Sequence, residues 1–113
     1  VAALADPAPH NVCYDSQQAA EKALKAALIF LGLVYERTHN LLTLEALLPP
    51  GWETGQDEAA LKELSKWAVE ARYPGSWNEP NDADAADALE RAELMVDAMR
   101  KALVSNGLSL QSP

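Results

Sequence analysis

The chain has 113 residues, 49% of them hydrophobic, and its nine basic against seventeen acidic residues give a formal charge of −8. That length supports one domain around one core, so residues 1–113 are read as a single unit. A nucleic-acid polyanion is held by clustered Lys and Arg; no such run occurs here, which speaks against non-specific nucleic-acid binding and leaves room only for a small phosphate ligand.

Residues 1–6 (VAALAD) are apolar and Ala-rich, then stop at Pro7-Ala8-Pro9. They read as the last turn of a helix whose beginning is missing. With no basic residue ahead of them and prolines behind, they lack the layout of a signal peptide. Residues 10–32 carry the strongest helical pattern. Cys13, Ala20, Leu24, Ala27 and Leu31 recur at helical spacing, and Ala23, Leu28 and Phe30 widen the stripe. Pro9 lies just ahead, His10 or Asn11 is expected as the cap, and Gly32 suits a left-handed stop. The most apolar stretch, residues 23–34, is interrupted by Lys25 and Gly32. It falls short of the ~20 apolar residues that cross a bilayer, and cytoplasmic residence is the expectation. A single cysteine, Cys13, excludes an internal disulfide and a cysteine-rich zinc site, and is expected as a small buried side chain.

Residues 33–37 connect this segment to the next. Thr38 is expected to cap a short helix over 39–48, with Leu41, Leu44 and Leu48 on one side and Pro49-Pro50-Gly51 ending it. Asp57 is the expected cap of a helix over 57–72, where Leu61, Leu64, Ala68 and Ala71 repeat with Trp67 beside them. Residues 73–81 (YPGSWNEPN) suit neither helix nor regular strand, and long connections of this kind often carry function. The last helix runs from Asp82 to a stop at Asn106-Gly107, with a predicted seam of Ala85, Leu89, Ala92, Val96, Met99 and Leu103. Asp82, Asp84 and Asp87 at its front and Arg100 and Lys101 at its rear complement the helix dipole. That accounts for the acids without a metal, and no metal site is expected. Residues 108–113 read as a frayed tail. No strand pattern is present, so the predicted fold is all-α: an antiparallel up-and-down bundle of four or five helices with its first helix truncated. The partners of a truncated helix would expose an apolar groove, which favours dimerisation.

Residues 13–26 (CYDSQQAAEKALKA) closely resemble the second helix of HEPN domains, where QQAAEKALKA follows an aromatic residue. Residues 37–41 (RTHNL) and 72–75 (RYPG) agree with that family in order and spacing, so the resemblance covers about residues 1–105. It implies a helical bundle, commonly a homodimer, that acts beside a minimal nucleotidyltransferase in a toxin–antitoxin or modification pair. Residues 1–6 would then be the end of the first helix. Another branch of the family consists of metal-independent ribonucleases that use an Arg, four to six residues, then a His. That arrangement is absent: His10 precedes every arginine, and only Arg37 precedes His39, with one residue between. The acid–base group and the phosphate-stabilising cation are therefore lost together, and no catalytic residue is assigned. Asp15 also stands where many relatives carry His, which weakens a phosphate role for that helix face.

The remaining candidates for a nucleotide ligand are Arg37, Thr38, His39, Arg72 and Tyr73. A guanidinium beside an imidazole at the mouth of a bundle can grip a phosphate, with the Thr38 hydroxyl assisting. In the plainer alternative Thr38 caps a helix and His39 satisfies carbonyls. Arg72 can likewise serve only the last carbonyls of its helix; with Tyr73, and Trp77 as a stacking lid, it could instead line the same pocket. Gln17 and Gln18 are expected at a dimer interface or on an exposed side, and Lys25 on a solvated edge paired to Glu21. No cofactor is expected. The function these residues imply is a nucleotide-binding or partner module without ribonuclease activity. A divergent ribonuclease or transferase-assisting subunit, and a purely structural dimerisation module, are the alternatives.

Overall fold

In the computed structural model residues 8–69 and 80–108 are described. They form α1 (Pro9–Phe30), α2 (Leu41–Glu45), α3 (Glu58–Ser65), a 3₁₀ turn Lys66–Ala68 that continues α3, and α4 (Asp82–Ser105). No strand occurs among the described residues, and the fold is the all-α bundle that the periodicity predicts.

The start of α1 differs from expectation. Ala8 is the N-cap, without a side-chain bond, and Pro9 occupies the first turn. A fixed φ and a missing N–H cost nothing there, so Pro9 begins the helix, and His10 and Asn11 lie inside it. Its end is as predicted. Gly32 at φ 72° lets Leu33 N–H reach Leu28 O at 2.9 Å and Gly32 N–H reach Ile29 O at 3.0 Å, which satisfies carbonyls the helix leaves open. Gly107, at φ 104°, closes α4 in the same way, with Leu108 N–H on Leu103 O at 3.0 Å.

The cap of α2 is Asn40 and not Thr38. Asn40 Oδ1 accepts from Leu42 N–H at 3.0 Å, while Thr38 Oγ1 accepts from Asn40 N–H at 3.0 Å. The helix also ends sooner than 48. Leu47 and Leu48 N–H bond three residues back, to Leu44 O and Glu45 O, because the residue before a proline is pushed out of the α region. In α3, Asp57 caps as expected, accepting from Ala60 N–H at 2.8 Å. The α-helix stops at Ser65, well before 72. Ser65 Oγ donates to Leu61 O at 2.7 Å and accepts from Leu41 N–H at 2.9 Å, so it competes with the ladder of its own helix while tying α2 to α3. The expected continuation over 70–72 lies outside the described residues. At the front of α4, Asn81 and Asp84 cap each other, with Asp84 N–H on Asn81 Oδ1 at 2.8 Å and Asn81 N–H on Asp84 Oδ2 at 3.0 Å. Along α4 the pairs Asp87–Arg91 and Asp97–Lys101 form, each at 2.9 Å. Arg91 also donates to Gln56 Oε1 at 3.1 Å, joining α4 to the segment ahead of α3.

The largest interface is between α1 and α4. Cys13, Ala20, Leu24, Ala27 and Leu28 are buried on α1, and Ala85, Ala88, Ala92, Met95 and Met99 on α4. Alanines on both helices allow close approach, and each fully buried Leu contributes roughly 1.5–3 kcal/mol. Leu41, Leu44, Leu61, Leu64, Trp52 and Trp67 complete the core. The predicted seam of α4 is half right. Ala85, Ala92 and Met99 lie on it, but Leu89 is 47% exposed and Val96 only half-buried, while Ala88 and Met95 take their places. Residues three and four beyond an anchor flank the same helical stripe. The residues three beyond Ala85 and Ala92 meet the core, and those four beyond look away from it.

Leu89 and Val96 instead form one wall of a groove of about 530 Å³, with Val12 and Ala19 of α1 opposite and Asp15, Glu93, Asp97 and Arg100 around it.

Candidate functional site

Besides Ser16, two residues buried on α1 are polar. Gln17 stands four residues after Cys13 and seven before Leu24, and Glu21 follows four later. Gln17 is fully buried and Glu21 is 5% exposed. Gln17 is thus neither on an exposed side nor at a free surface, and the edge carrying Glu21 is not solvated. Burial of such groups demands partners, and each has them. Gln17 Nε2 donates to Glu21 Oε1 and to His39 O, both at 3.0 Å, and Gln18 Nε2 donates to Gln17 Oε1 at 2.7 Å. Glu21 Oε1 lies 2.8 Å from His39 Nδ1, and Lys25 Nζ donates to Oε2 at 2.8 Å. Among the described residues, no buried side-chain nitrogen or oxygen lacks a hydrogen-bond partner. Burial pushes the Glu21 carboxyl up, but hydrogen bonds from Lys25, His39 and Gln17 outweigh it and hold the group below the usual carboxylate range.

His39 is therefore fastened to α1 at two points, its ring and its carbonyl, while the ring remains largely exposed. With Nδ1 engaged, Nε2 is the ring nitrogen left for a ligand. Thr38 and His39 line one side of an open cleft of about 430 Å³; Lys62, Ser65 and Lys66 of α3 and its 3₁₀ turn line the other. Lys62 pairs with Glu58 at 3.2 Å and Lys66 with Glu63 at 2.7 Å. Such surface pairs are worth about 0–1 kcal/mol, so the Lys62 ammonium can turn to a ligand at little cost. Lys66 Nζ also sits 4.6 Å from the centre of the buried Trp67 ring.

Of the five residues predicted to bind a nucleotide, Thr38 and His39 come together in this cleft. Arg37 is exposed in the segment between α1 and α2 and is not among the residues lining it. Arg72 and Tyr73, and Trp77 with them, lie outside the described residues. Lys62 and Lys66 were missed by the sequence reasoning. Their spacing of four places them on one helical face, a signal that marks a cationic edge but not the loop opposite it. Among the described residues no group of His, Cys, Asp or Glu is arranged to hold a metal ion, and no helix is long and apolar enough to cross a membrane.

An all-α bundle with Gln17 and Glu21 built into one helix and His39 anchored against them defines a small helical domain with an open cleft edged by Lys62 and Lys66. Residues 3–102 match the model of the HEPN domain family, and the chain belongs to that family. No curated protein and no solved structure gave a significant match.

Proposed function

We propose that this chain is a nucleotide-binding HEPN module, without ribonuclease activity of its own, that works with a nucleotidyltransferase partner in the cytoplasm. The observation that carries the proposal is the cleft in which His39 and Thr38 face Lys62 and Lys66, on a protein whose formal charge is −8. Two ammonium groups beside an imidazole suit a compact phosphate and are too few for a polyanion. Absence of an Arg–x4–6–His arrangement supports the non-nucleolytic role. The acidic remainder of the surface would complement a basic partner.

A melting-temperature series with mono-, di- and triphosphates tests the ligand. A binder at a hundredfold excess over its Kd stabilises by about 2.7 kcal/mol. A rise with at least one nucleotide, reduced in Lys62→Ala, is expected; no rise with any would overturn the ligand. Co-expression with a minimal nucleotidyltransferase tests the partner, and co-elution as one species is expected.

A second reading draws on the groove between α1 and α4, whose exposed Leu89 and half-buried Val96 favour self-association. In it the chain is a homodimeric helical module, and sedimentation would show a dimer in the absence of any nucleotide.

A further inference from the structure

His39 is held from below by groups that touch no ligand. Glu21 is an acceptor only, once ionised, so the ring nitrogen 2.8 Å from its Oε1 must donate. That nitrogen is Nδ1. Gln17, fully buried, donates to the carbonyl of the same residue at 3.0 Å, which fixes the backbone from which the ring springs. Gln17 and Glu21 are themselves joined at 3.0 Å, and Lys25 braces the far oxygen of Glu21 at 2.8 Å. Three buried or half-buried residues on one helix, Gln17, Glu21 and Lys25, thus decide how a single exposed ring faces the cleft.

We propose that Glu21 and Gln17 are positioning residues: they fix His39 as the Nδ1–H tautomer, so that its Nε2 edge is what the cleft presents to phosphate. This rests on the phosphate-binding reading given above. The chemistry follows from the inventory of donors. A neutral ring in this tautomer has a lone pair at Nε2, which a phosphate oxygen does not accept from. To hold an unprotonated phosphate oxygen the ring takes one proton from solvent at Nε2 and then donates from both nitrogens, one bond to Glu21 and one to the ligand. The charged groups set around it are Glu21 and Lys25 from α1, and Lys62 and Lys66 across the cleft from α3 and its 3₁₀ turn.

Nitrogen-15 spectra of the histidine rings in the full chain, with inorganic phosphate as the probe, test this. Without phosphate, at a pH where the ring is neutral, His39 should show the Nδ1–H tautomer; a dominant Nε2–H tautomer overturns the proposal and requires no variant. Phosphate should move the His39 nitrogens toward the doubly protonated pattern. Glu21→Gln, whose amide can donate as well as accept, should blur the tautomer preference and weaken phosphate binding about tenfold, the loss expected for one charge-assisted bond. Unchanged ring nitrogens and unchanged phosphate affinity in Glu21→Gln would overturn it. If phosphate shifts Lys62 and Lys66 but leaves His39 untouched, the positioning role fails while the phosphate site stands. If phosphate shifts none of them, the phosphate site fails, and the tautomer measurement still decides whether Glu21 orients the ring.

Discussion

Glu21 and His39, eighteen residues apart in the chain, meet at 2.8 Å between Oε1 and Nδ1, one side chain almost fully buried and the other largely exposed. The carboxylate belongs to the core stripe of α1 and the imidazole to the segment that leads into α2, so the pair joins core to surface. Removing the carboxylate would leave one N–H of the buried Gln17 amide without its acceptor and take a partner from Lys25 and the ring. Glu21→Ala should therefore cost about 1–3 kcal/mol, the usual penalty for leaving a buried donor without its acceptor. Urea denaturation would measure it.

The same carboxylate predicts a pH dependence. Its folded pKa lies below the ordinary 4.5, so the unfolded state binds its proton first as the pH falls. The stability it contributes is fully present above 4.5 and is lost below that value, as the pH falls through the folded pKa. Wild type should lose stability faster than Glu21→Gln across that acid window. Equal slopes for the two proteins in urea melts at successive pH values would show that the buried pair is not linked to folding.

Much of the fold was legible because burial follows period. The stripe of Cys13, Ala20, Leu24 and Ala27, the stop at Gly32 and the cap at Asp57 were all readable from spacing and residue type. The wall of α4 that meets the core was not, since Ala88 and Leu89 flank the same anchors and only the partner helix decides between them. Gln17 and Glu21 were misplaced for a related reason: polarity argues for the surface, and only the distant carbonyl and ring of His39 make their burial affordable. Thr38 and His39 were singled out from the resemblance at residues 37–41 and their place at a helix start, and both line the cleft. Lys62 and Lys66 needed the fold, because nothing local shows that α3 runs past that segment.

Neighbouring substitutions on α4 should behave oppositely. Ala88 is 1% exposed against the core, and Ala88→Leu adds three carbons to a filled interface, at a cost of roughly 1–3 kcal/mol. Leu89 is 47% exposed, and Leu89→Ala should change the stability of the monomer by less than about 0.5 kcal/mol. Thermal melts of the two variants at low protein concentration give the comparison, and a reversed order would move the helix face.

Cys13 offers a probe of how often the core opens. Burial, with Asp84 adding to it, pushes the thiol up to about 11 from 9.0. Only the thiolate is alkylated, and two units lower its fraction near neutral pH by about a hundredfold. Iodoacetamide should modify the native chain slowly and the urea-unfolded chain fast, with the native rate rising alongside the fraction unfolded. A native rate equal to that of a free thiol would place Cys13 outside the core.

Lys62 separates ligand binding from folding most cleanly. Its ammonium is 66% exposed and meets Glu58 at 3.2 Å, a surface pair worth about 0–1 kcal/mol, so Lys62→Ala should leave the urea midpoint nearly unchanged. Loss of one of the cleft's two ammonium groups should nevertheless weaken phosphate about tenfold, or about 1.4 kcal/mol. Lys66 is a poorer test because its ammonium also covers the Trp67 ring at 4.6 Å, and Lys66→Ala would disturb packing together with charge. Phosphate titrations of wild type and Lys62→Ala, read by calorimetry at low ionic strength, decide the matter. Equal affinities would mean that the anion, if bound, is held elsewhere.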